Sequence, residues 1–177
     1  MTQSDNDITE LLRQDPEQGF RRLMEWYKEP VYWHIRRLVV THADAQDATQ
    51  ETFVRIFRSL GSRRDDTSLT AWIYRIATNE ALRLIGRRHE TARLADGDDT
   101  LAERLPADSY IDYDDVEGVA MLKAVYALPQ KQQVVFNLRF YDELSYGEIA
   151  QITGSNVAAV KVNYHLAKEK IKKRLLA

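Results

Sequence analysis

A basic stripe on one predicted helix is the first feature of the sequence that could bind a charged ligand. Asn79, Arg83 and Arg87 follow the spacing i, i+4, i+8 and therefore share a helix face, and we expect Trp72 and Ile76 on the other, buried face. An amide beside a row of guanidinium groups suits the bases and phosphates of single-stranded DNA. A solvated basic face would show the same spacing and stays the alternative. Further polar and basic residues near the stripe complete this candidate site: Arg63, Arg64, Ser68, Arg75 and Arg88.

A second candidate site lies near the C-terminus, where a short predicted helix precedes a longer basic one. Ser145 and Glu148 have the spacing of a capping box, and Gly154 suits the left-handed residue that ends the short helix. This order predicts a helix-turn-helix, whose second helix enters the major groove of DNA. Side chains on its outward face are the candidate contacts to bases and phosphates: Ser155, Asn156, Ala158, Ala159, Lys161, Asn163, His165 and Lys168.

The second helix of this pair also carries an apolar stripe that predicts its buried face. Val160, Tyr164, Ala167 and Ile171 recur at i, i+4, i+7 and i+11, and Ser155 is the predicted N-cap. An ordinary helical hairpin with a solvated polar face is the alternative to a DNA-binding unit.

An acidic cluster marks the start of another predicted helix. Asp44, Asp47 and Glu51 follow i, i+3, i+7, with Gln50 beside them. Acidic side chains stabilise a helix N-terminus, which is one explanation for the cluster. A docking face for a basic protein surface is the other.

No group of residues indicates catalysis, a metal site or a cofactor. Cysteine is absent, no glycine-rich phosphate loop occurs, and the histidines do not have ligand spacing: His34, His42, His89 and His165. The first residues lack the basic and apolar pattern of a secretory signal. No apolar run approaches the roughly 20 residues that span a bilayer, so we expect a cytoplasmic protein without membrane insertion.

The spacing of apolar residues and the scarcity of glycine and proline predict an all-α protein. Its charge is segregated: residues 91–117 hold nine acidic residues against two arginines, between two basic blocks. We therefore predict two small helical domains, a bundle over residues 1–90 and a helix-turn-helix domain over residues 118–177. Residues 91–117 are the predicted acidic, flexible linker.

Six helices are predicted to build these domains. The first has Asp15 as N-cap and Pro16 as its first residue, and Pro30 is expected to interrupt or kink it before it continues to residue 40. Phe57 is expected to face inward, and Trp26 and Trp33 are expected in the core because large aromatic side chains dominate buried area. The other predicted helices cover residues 45–60, 69–88, 130–140, 146–153 and 156–176.

These motifs resemble the extracytoplasmic-function class of bacterial sigma factors. The resemblance extends over nearly the whole chain, from residue 20 to residue 176. It rests on four segments in a fixed order around the acidic linker: residues 43–53 (ADAQDATQETF), 70–79 (TAWIYRIATN), 128–129 (LP) and 144–150 (LSYGEIA).

The resemblance implies a transcription initiation factor that binds core RNA polymerase and promoter DNA. The first domain corresponds to sigma region two, with Asn79 contacting a base of the melted −10 element and the loop of residues 61–68 capturing a flipped base. The acidic helix, with Asp44, Asp47, Gln50 and Glu51, would dock on the clamp helices of the largest polymerase subunit. The second domain corresponds to region four, which binds the duplex −35 element and the polymerase flap. Members of this class often have an anti-sigma factor as a partner.

The sequence departs from the family pattern at positions that bear on base choice. Arg63 stands where an aromatic residue is frequent, and Leu69 replaces a common phenylalanine. Val162, Asn163 and Leu166 stand where serine and arginine are frequent, which predicts an unusual −35 preference.

Two other functions fit the residues without the resemblance. A helix-turn-helix repressor or activator would bind duplex DNA as a dimer and ignore polymerase. A helical adaptor or anti-sigma-type protein would bind protein alone, and neutralising Lys161 and Lys168 would then have no effect.

Overall fold

The computed structural model describes residues 3–39, 41–64, 66–94 and 114–177 of the chain. All regular elements of these residues are helices, so the predicted all-α fold is confirmed. Most of the predicted acidic linker, residues 95–113, lies outside the described part. The helices in chain order are α1 (Gln3–Gln14), α2 (Pro16–Arg36), α3 (His42–Ser59), α4 (Leu69–Leu94), α5 (Val116–Tyr126), α6 (Gln130–Phe140), α7 (Tyr146–Thr153) and α8 (Val157–Leu175), with a 3-10 turn at Leu60–Ser62 after α3.

Helix α2 begins as predicted, but proline does not interrupt it. The Asp15 carboxylate accepts hydrogen bonds from the backbone N–H groups of Glu17 and Gln18 at 3.1 Å. The helix then continues through Pro30 to Arg36. Pro30 is exposed, so water can reach the carbonyl that loses its hydrogen-bond donor, and this lowers the cost of an internal proline.

Two helices occur where none was predicted. Helix α1 packs on α2, with Ile8 only 1% exposed and Gly19 of α2 lying directly against the backbone of Leu12. Helix α5 begins at Val116, inside the predicted linker, and its N-cap is Asp115, whose carboxylate accepts from the Gly118 N–H at 2.9 Å. The acidic residues around Asp115 predict a solvated linker by composition, whereas Asp115 caps a helix.

A buried polar contact ties α1 to the rest of the N-terminal bundle. The Tyr27 hydroxyl donates to the Asp5 carboxylate and contacts the Thr70 hydroxyl at 2.7 Å. Thr70 in turn donates to Asp5 at 2.9 Å. Burial raises the pKa of the Tyr27 phenol, and the hydrogen bond to Asp5 raises it further. Three helices therefore share one carboxylate.

Several aromatic residues expected inside lie at the surface. Trp26 is 52% exposed, Trp33 37% and Phe57 58%, so the expectation that they are core residues is wrong. The reason for α2 is visible in its buried stripe, which Leu23, Tyr27, Val31 and Ile35 already fill. The two tryptophans are seven residues apart and lie to one side of that stripe.

The two halves of the chain pack against each other through apolar side chains. Leu138, Ile149 and Ile152 of the C-terminal half belong to the same buried cluster as Leu23 and Ile73 of the N-terminal half. Helix α7 packs on α4. The described helices α1–α4 and α6–α8 thus share one hydrophobic core.

A buried carboxylate, Asp142, fixes this packing. It lies after α6 and is 5% exposed, and it accepts from His34 Nδ1 at 3.0 Å and from Arg37 Nη1 at 3.2 Å. His34 is fully buried, and its Nε2 contacts the Thr78 hydroxyl at 2.8 Å. The last carbonyls of a helix have no partner within it. Here the Arg37 carbonyl accepts from the side-chain amide of Asn137 at 3.4 Å.

Within the described residues, the helices are all too short or too polar to span a lipid bilayer.

We predict that Asp142→Ala lowers the free energy of unfolding by about 2 kcal/mol, because the buried His34 and the half-buried Arg37 lose their charged acceptor. Urea unfolding followed by circular dichroism measures the change. Arg21→Ala is the control: its ion pair with Glu17 has side chains that are 72% and 76% exposed, and its loss should cost less than about 0.5 kcal/mol. Equal stability of the two variants would show that Asp142 does not hold the halves together.

Candidate nucleic-acid interface

The predicted basic stripe lies on the surface of α4. Asn79, Arg83 and Arg87 are all exposed. Trp72 and Ile76 are half-buried. The expectation that they lie on the opposite face from Asn79 is wrong, because they come seven and three residues before it and therefore share its side of the helix. The buried positions of this stretch are Ala71, Ile73, Tyr74, Ala77 and Thr78. The polar stripe is therefore bordered by an aromatic ring, which can stack on an unpaired base.

The loop before α4 is braced by its own basic residues. Arg63 is half-buried, donates to the Thr67 carbonyl at 3.2 Å and places its guanidinium carbon 5.9 Å from the centre of the Trp72 ring. Ser68 caps α4, because its hydroxyl accepts from the Ala71 N–H at 3.0 Å. Arg64 is exposed and lies 3.6 Å from Asp66. Arg63 and Ser68 thus shape the loop, and Arg64 points a charge outward.

An acidic residue lies directly beneath the stripe. Glu80 is 4% exposed and accepts from Arg83 Nη2 at 2.6 Å and Nε at 3.3 Å. It also pairs with Arg55 of α3, which lies 3.3 Å from Glu51. Hydrogen bonding to Glu80 raises the pKa of the Arg83 guanidinium, so Arg83 stays charged. A single buried carboxylate therefore positions one arginine of the stripe.

The acidic cluster at the start of α3 divides into two pairs with different surroundings. Asp44 is 9% exposed and accepts from Arg88 of α4 at 2.5 Å, and Glu51 is half-buried beside Arg55. Asp47 and Gln50 are exposed. Asp44 thus joins α3 to α4, and Glu51 pairs within α3 with Arg55, which itself reaches Glu80 of α4. Asp47 and Gln50 remain open to a partner.

Exposed apolar side chains continue this open face of α3. Val54 is 37% exposed and Phe57 58%, and the ring of Phe57 contacts Phe20 edge-on at 5.1 Å. Sequence reasoning placed Phe57 inside. The spacing of four and seven residues from Gln50 to Val54 and Phe57 would have placed them on one face.

The C-terminal half contains the predicted helix-turn-helix. The Glu148 N–H donates to the Ser145 hydroxyl at 3.2 Å, and the Ser145 N–H donates to the Glu148 carboxylate at 2.9 Å, which completes the capping box. Gly154 ends α7 in the left-handed region, with φ of 64°. The predicted buried stripe of α8 is confirmed at Val160, Ala167 and Ile171, and Tyr164 is half-buried.

The N-cap of α8 is Asn156 and not the predicted Ser155. The Asn156 side-chain oxygen accepts from the Ala159 N–H at 2.8 Å, and its backbone is extended. Ser155 lies one residue too early, and its hydroxyl contacts that of Thr153 at 2.8 Å. The cap must directly precede the first helical residue, and the tight turn leaves that position to Asn156.

Most predicted contact residues on α8 and its turn are exposed, and some are already engaged within the chain. The Asn163 amide donates to the Ala159 carbonyl at 3.0 Å, and both residues are half-buried. Lys161 lies over the ring of Tyr146 at 5.6 Å, and Lys168 over that of Tyr164 at 4.8 Å. The exposed members of the predicted set are Ser155, Asn156, Ala158, Lys161, His165 and Lys168.

Comparison with known proteins agrees with both halves of this arrangement. The family model "Sigma-70 region 2" matches residues 23–91 and the model "Sigma-70, region 4" matches residues 119–171. Together the matches cover more than half of the chain. Relatives named ECF RNA polymerase sigma factors match the chain as well, so it belongs to the extracytoplasmic-function class of sigma factors. As such it directs RNA polymerase to promoters.

This sigma factor is similar to others over its full length. It is 28% identical to the RNA polymerase sigma-H factor of Pseudomonas aeruginosa, over 98% of this chain and 94% of that one. It is 27% identical to the sigma factor SigW of Bacillus subtilis, over 93% and 92%.

Two solved structures share its fold at 20% identity. The sigma factor RpoE of Bartonella quintana, in complex with the anti-sigma factor NepR, matches with a TM-score of 0.75 over 90% of this chain and 98% of that one. CnrH, in complex with the cytosolic domain of CnrY, matches with a TM-score of 0.71 over 97% of each.

We predict opposite effects of one substitution at two glycines of this sigma factor. Gly154→Ala should lower stability by about 1 kcal/mol, because a Cβ disfavours the left-handed backbone of the turn. Gly86→Ala, in the interior of α4 with nothing within 4 Å of the added Cβ, should raise stability by about 0.5–1 kcal/mol. Thermal unfolding of both variants tests this, and a stabilising Gly154→Ala would contradict the described turn.

Proposed function

We propose that this sigma factor holds promoter DNA on two helical surfaces while it is docked on core RNA polymerase. The α4 surface takes the unpaired −10 strand, and the outward face of α8 takes the −35 duplex. The observation that carries the proposal is the exposed Asn79 amide, bordered by Trp72 and the stripe arginines, in the segment that matches region two. The enzyme that makes RNA is the polymerase, and this chain acts by binding alone.

The −10 surface combines three kinds of contact. Asn79 offers an exposed amide to a base edge, and the half-buried Trp72, seven residues earlier, offers an aromatic ring on the same side of α4. Arg83, Arg87 and Arg88 provide charge for the phosphates. Arg63, Arg64 and Ser68 form the loop beside them. Base recognition at Asn79 and phosphate contacts along α4 thus have separate residues.

We predict that Asn79→Ala slows open-complex formation about tenfold, because a base edge loses its hydrogen-bond partner. Fluorescence of a 2-aminopurine placed in the −10 element measures melting, and competition for core enzyme measures docking. Docking should stay at the wild-type level. Gln18→Ala, an exposed polar residue of α2 outside the site, is the control for both assays. Normal melting by Asn79→Ala would remove the residue from the −10 surface.

The open face of α3 is the proposed polymerase contact. Asp47 and Gln50 are exposed there beside Val54 and Phe57, so the face offers charge, an amide and an apolar area. Asp44 and Glu51 support it from below through Arg88 and Arg55. An apolar centre with a polar rim is typical of protein interfaces.

We predict that Asp47→Arg weakens binding to core polymerase at least tenfold, because it places like charges at a docking face. Asp7→Arg makes the same change of charge on the exposed surface of α1 and should leave binding unchanged. Competition against a labelled reference sigma factor measures both. Equal competition by the two variants would exclude the α3 face.

Three further features complete the proposal. RpoE of Bartonella quintana is bound by the anti-sigma factor NepR, and we infer that this chain is also held by an anti-sigma factor. We place its activity in the cytoplasm, where RNA polymerase is found. On α8 the proposed −35 contacts are Ser155, Asn156, Ala158, Ala159, Lys161, Asn163, His165 and Lys168.

A further inference from the structure

The outward face of α8 carries exposed apolar side chains, and only Ala158 of these is among the proposed contacts. Val162 is 58% exposed and Leu166 41%, and Ala158 is exposed as well. These three residues are spaced by four, so they form one line along the helix. Val162 comes two residues after the fully buried Val160 and therefore points away from the core. We call this line the apolar strip.

Cationic side chains lie along the edge of the strip. Lys161 and Lys168 are seven residues apart, and their ammonium groups lie over the rings of Tyr146 and Tyr164. These rings hold the charges to one side, so the lysines do not cover Val162. In a helix that enters the major groove, edge cations meet the phosphates and the centre of the face meets the base edges.

Among the proposed contacts, the side-chain amides near the start of α8 are engaged within the helix and leave base reading to other side chains. The Asn156 oxygen caps the helix, and the Asn163 amide donates to the Ala159 carbonyl. Guanine is read best by a bidentate arginine or lysine, and adenine by a bidentate amide. Thymine differs from the other bases by a methyl group in the major groove, which apolar side chains contact.

We propose that α8 reads thymine in the −35 element through its 5-methyl group, with Val162 as the contacting residue and Ala158 beside it. This rests on the proposed docking of α8 on the −35 duplex. The docked helix then selects thymine, and it does so through an apolar contact.

The test uses holoenzyme reconstituted with core polymerase. Promoters are first selected from DNA that is random across the −35 element, and the enriched thymine is then replaced by deoxyuridine, which removes only the methyl group. Wild-type holoenzyme should bind the deoxyuridine promoter about three- to fivefold more weakly, because it loses the transfer free energy of one buried methyl group.

Val162→Ala supplies the matching change on the protein. It should weaken binding to the thymine promoter by a similar factor and abolish the effect of deoxyuridine. Leu175→Ala, an exposed apolar residue at the last turn of the same helix, should keep the full deoxyuridine effect. Val162 lies at the surface, so its truncation leaves the core intact.

Each other outcome overturns a defined statement. An element without enriched thymine, or the same deoxyuridine effect in wild type and Val162→Ala, overturns the thymine contact. If Val162→Ala changes binding to core polymerase instead, the strip is a protein surface and the inference is wrong. Failure of the proposed function looks different, because holoenzyme would then select no −35 sequence at all.

Discussion

The packing of the two halves depends on one buried carboxylate. Asp142 is 5% exposed, and it receives hydrogen bonds from His34 and Arg37 near the end of α2. A buried charge is tolerated only when its surroundings compensate for lost hydration. His34 and Arg37 provide this compensation for Asp142. The Asn137 amide likewise donates a hydrogen bond to the Arg37 carbonyl at the end of α2. The apolar contacts between α7 and α4 have no such directionality, so the carboxylate sets their register.

Buried carboxylates also pair with arginines inside the N-terminal half, close to the proposed binding surfaces. Glu80 holds Arg55 and Arg83, and Asp44 holds Arg88. Charged residues that look alike in the sequence therefore have different surroundings. Some are braces between α3 and α4, and others, such as Asp47 and Asn79, lie open at the surface. The surface proposed for polymerase, on α3, and the surface proposed for the −10 strand, on α4, are separated by these pairs.

Helix caps and turns were predictable from the sequence, whereas the packing of one helix on another was not. The Ser145–Glu148 capping box and the left-handed Gly154 depend on neighbouring residues alone, and both were predicted. The family and its two DNA-binding units also followed from ordered motifs. Helix α5 was missed because Asp115, its cap, resembles linker composition. The burial of Asp44 and the exposure of Phe57 were missed because spacing within one helix does not reveal which neighbour packs on it.

The pairing of Arg83 with Glu80 has a consequence for how the chain behaves on a long DNA molecule. A phosphate that approaches this arginine competes with a carboxylate that is already in place at 2.6 Å. Arg55 stays beside Glu80 after the exchange, so the carboxylate keeps a partner. On the proposed −10 surface, random backbone would therefore gain little from Arg83, because one anion replaces another. Only a strand that also satisfies the Asn79 amide would gain a net advantage, so Arg83 would add little to binding at irrelevant sequence.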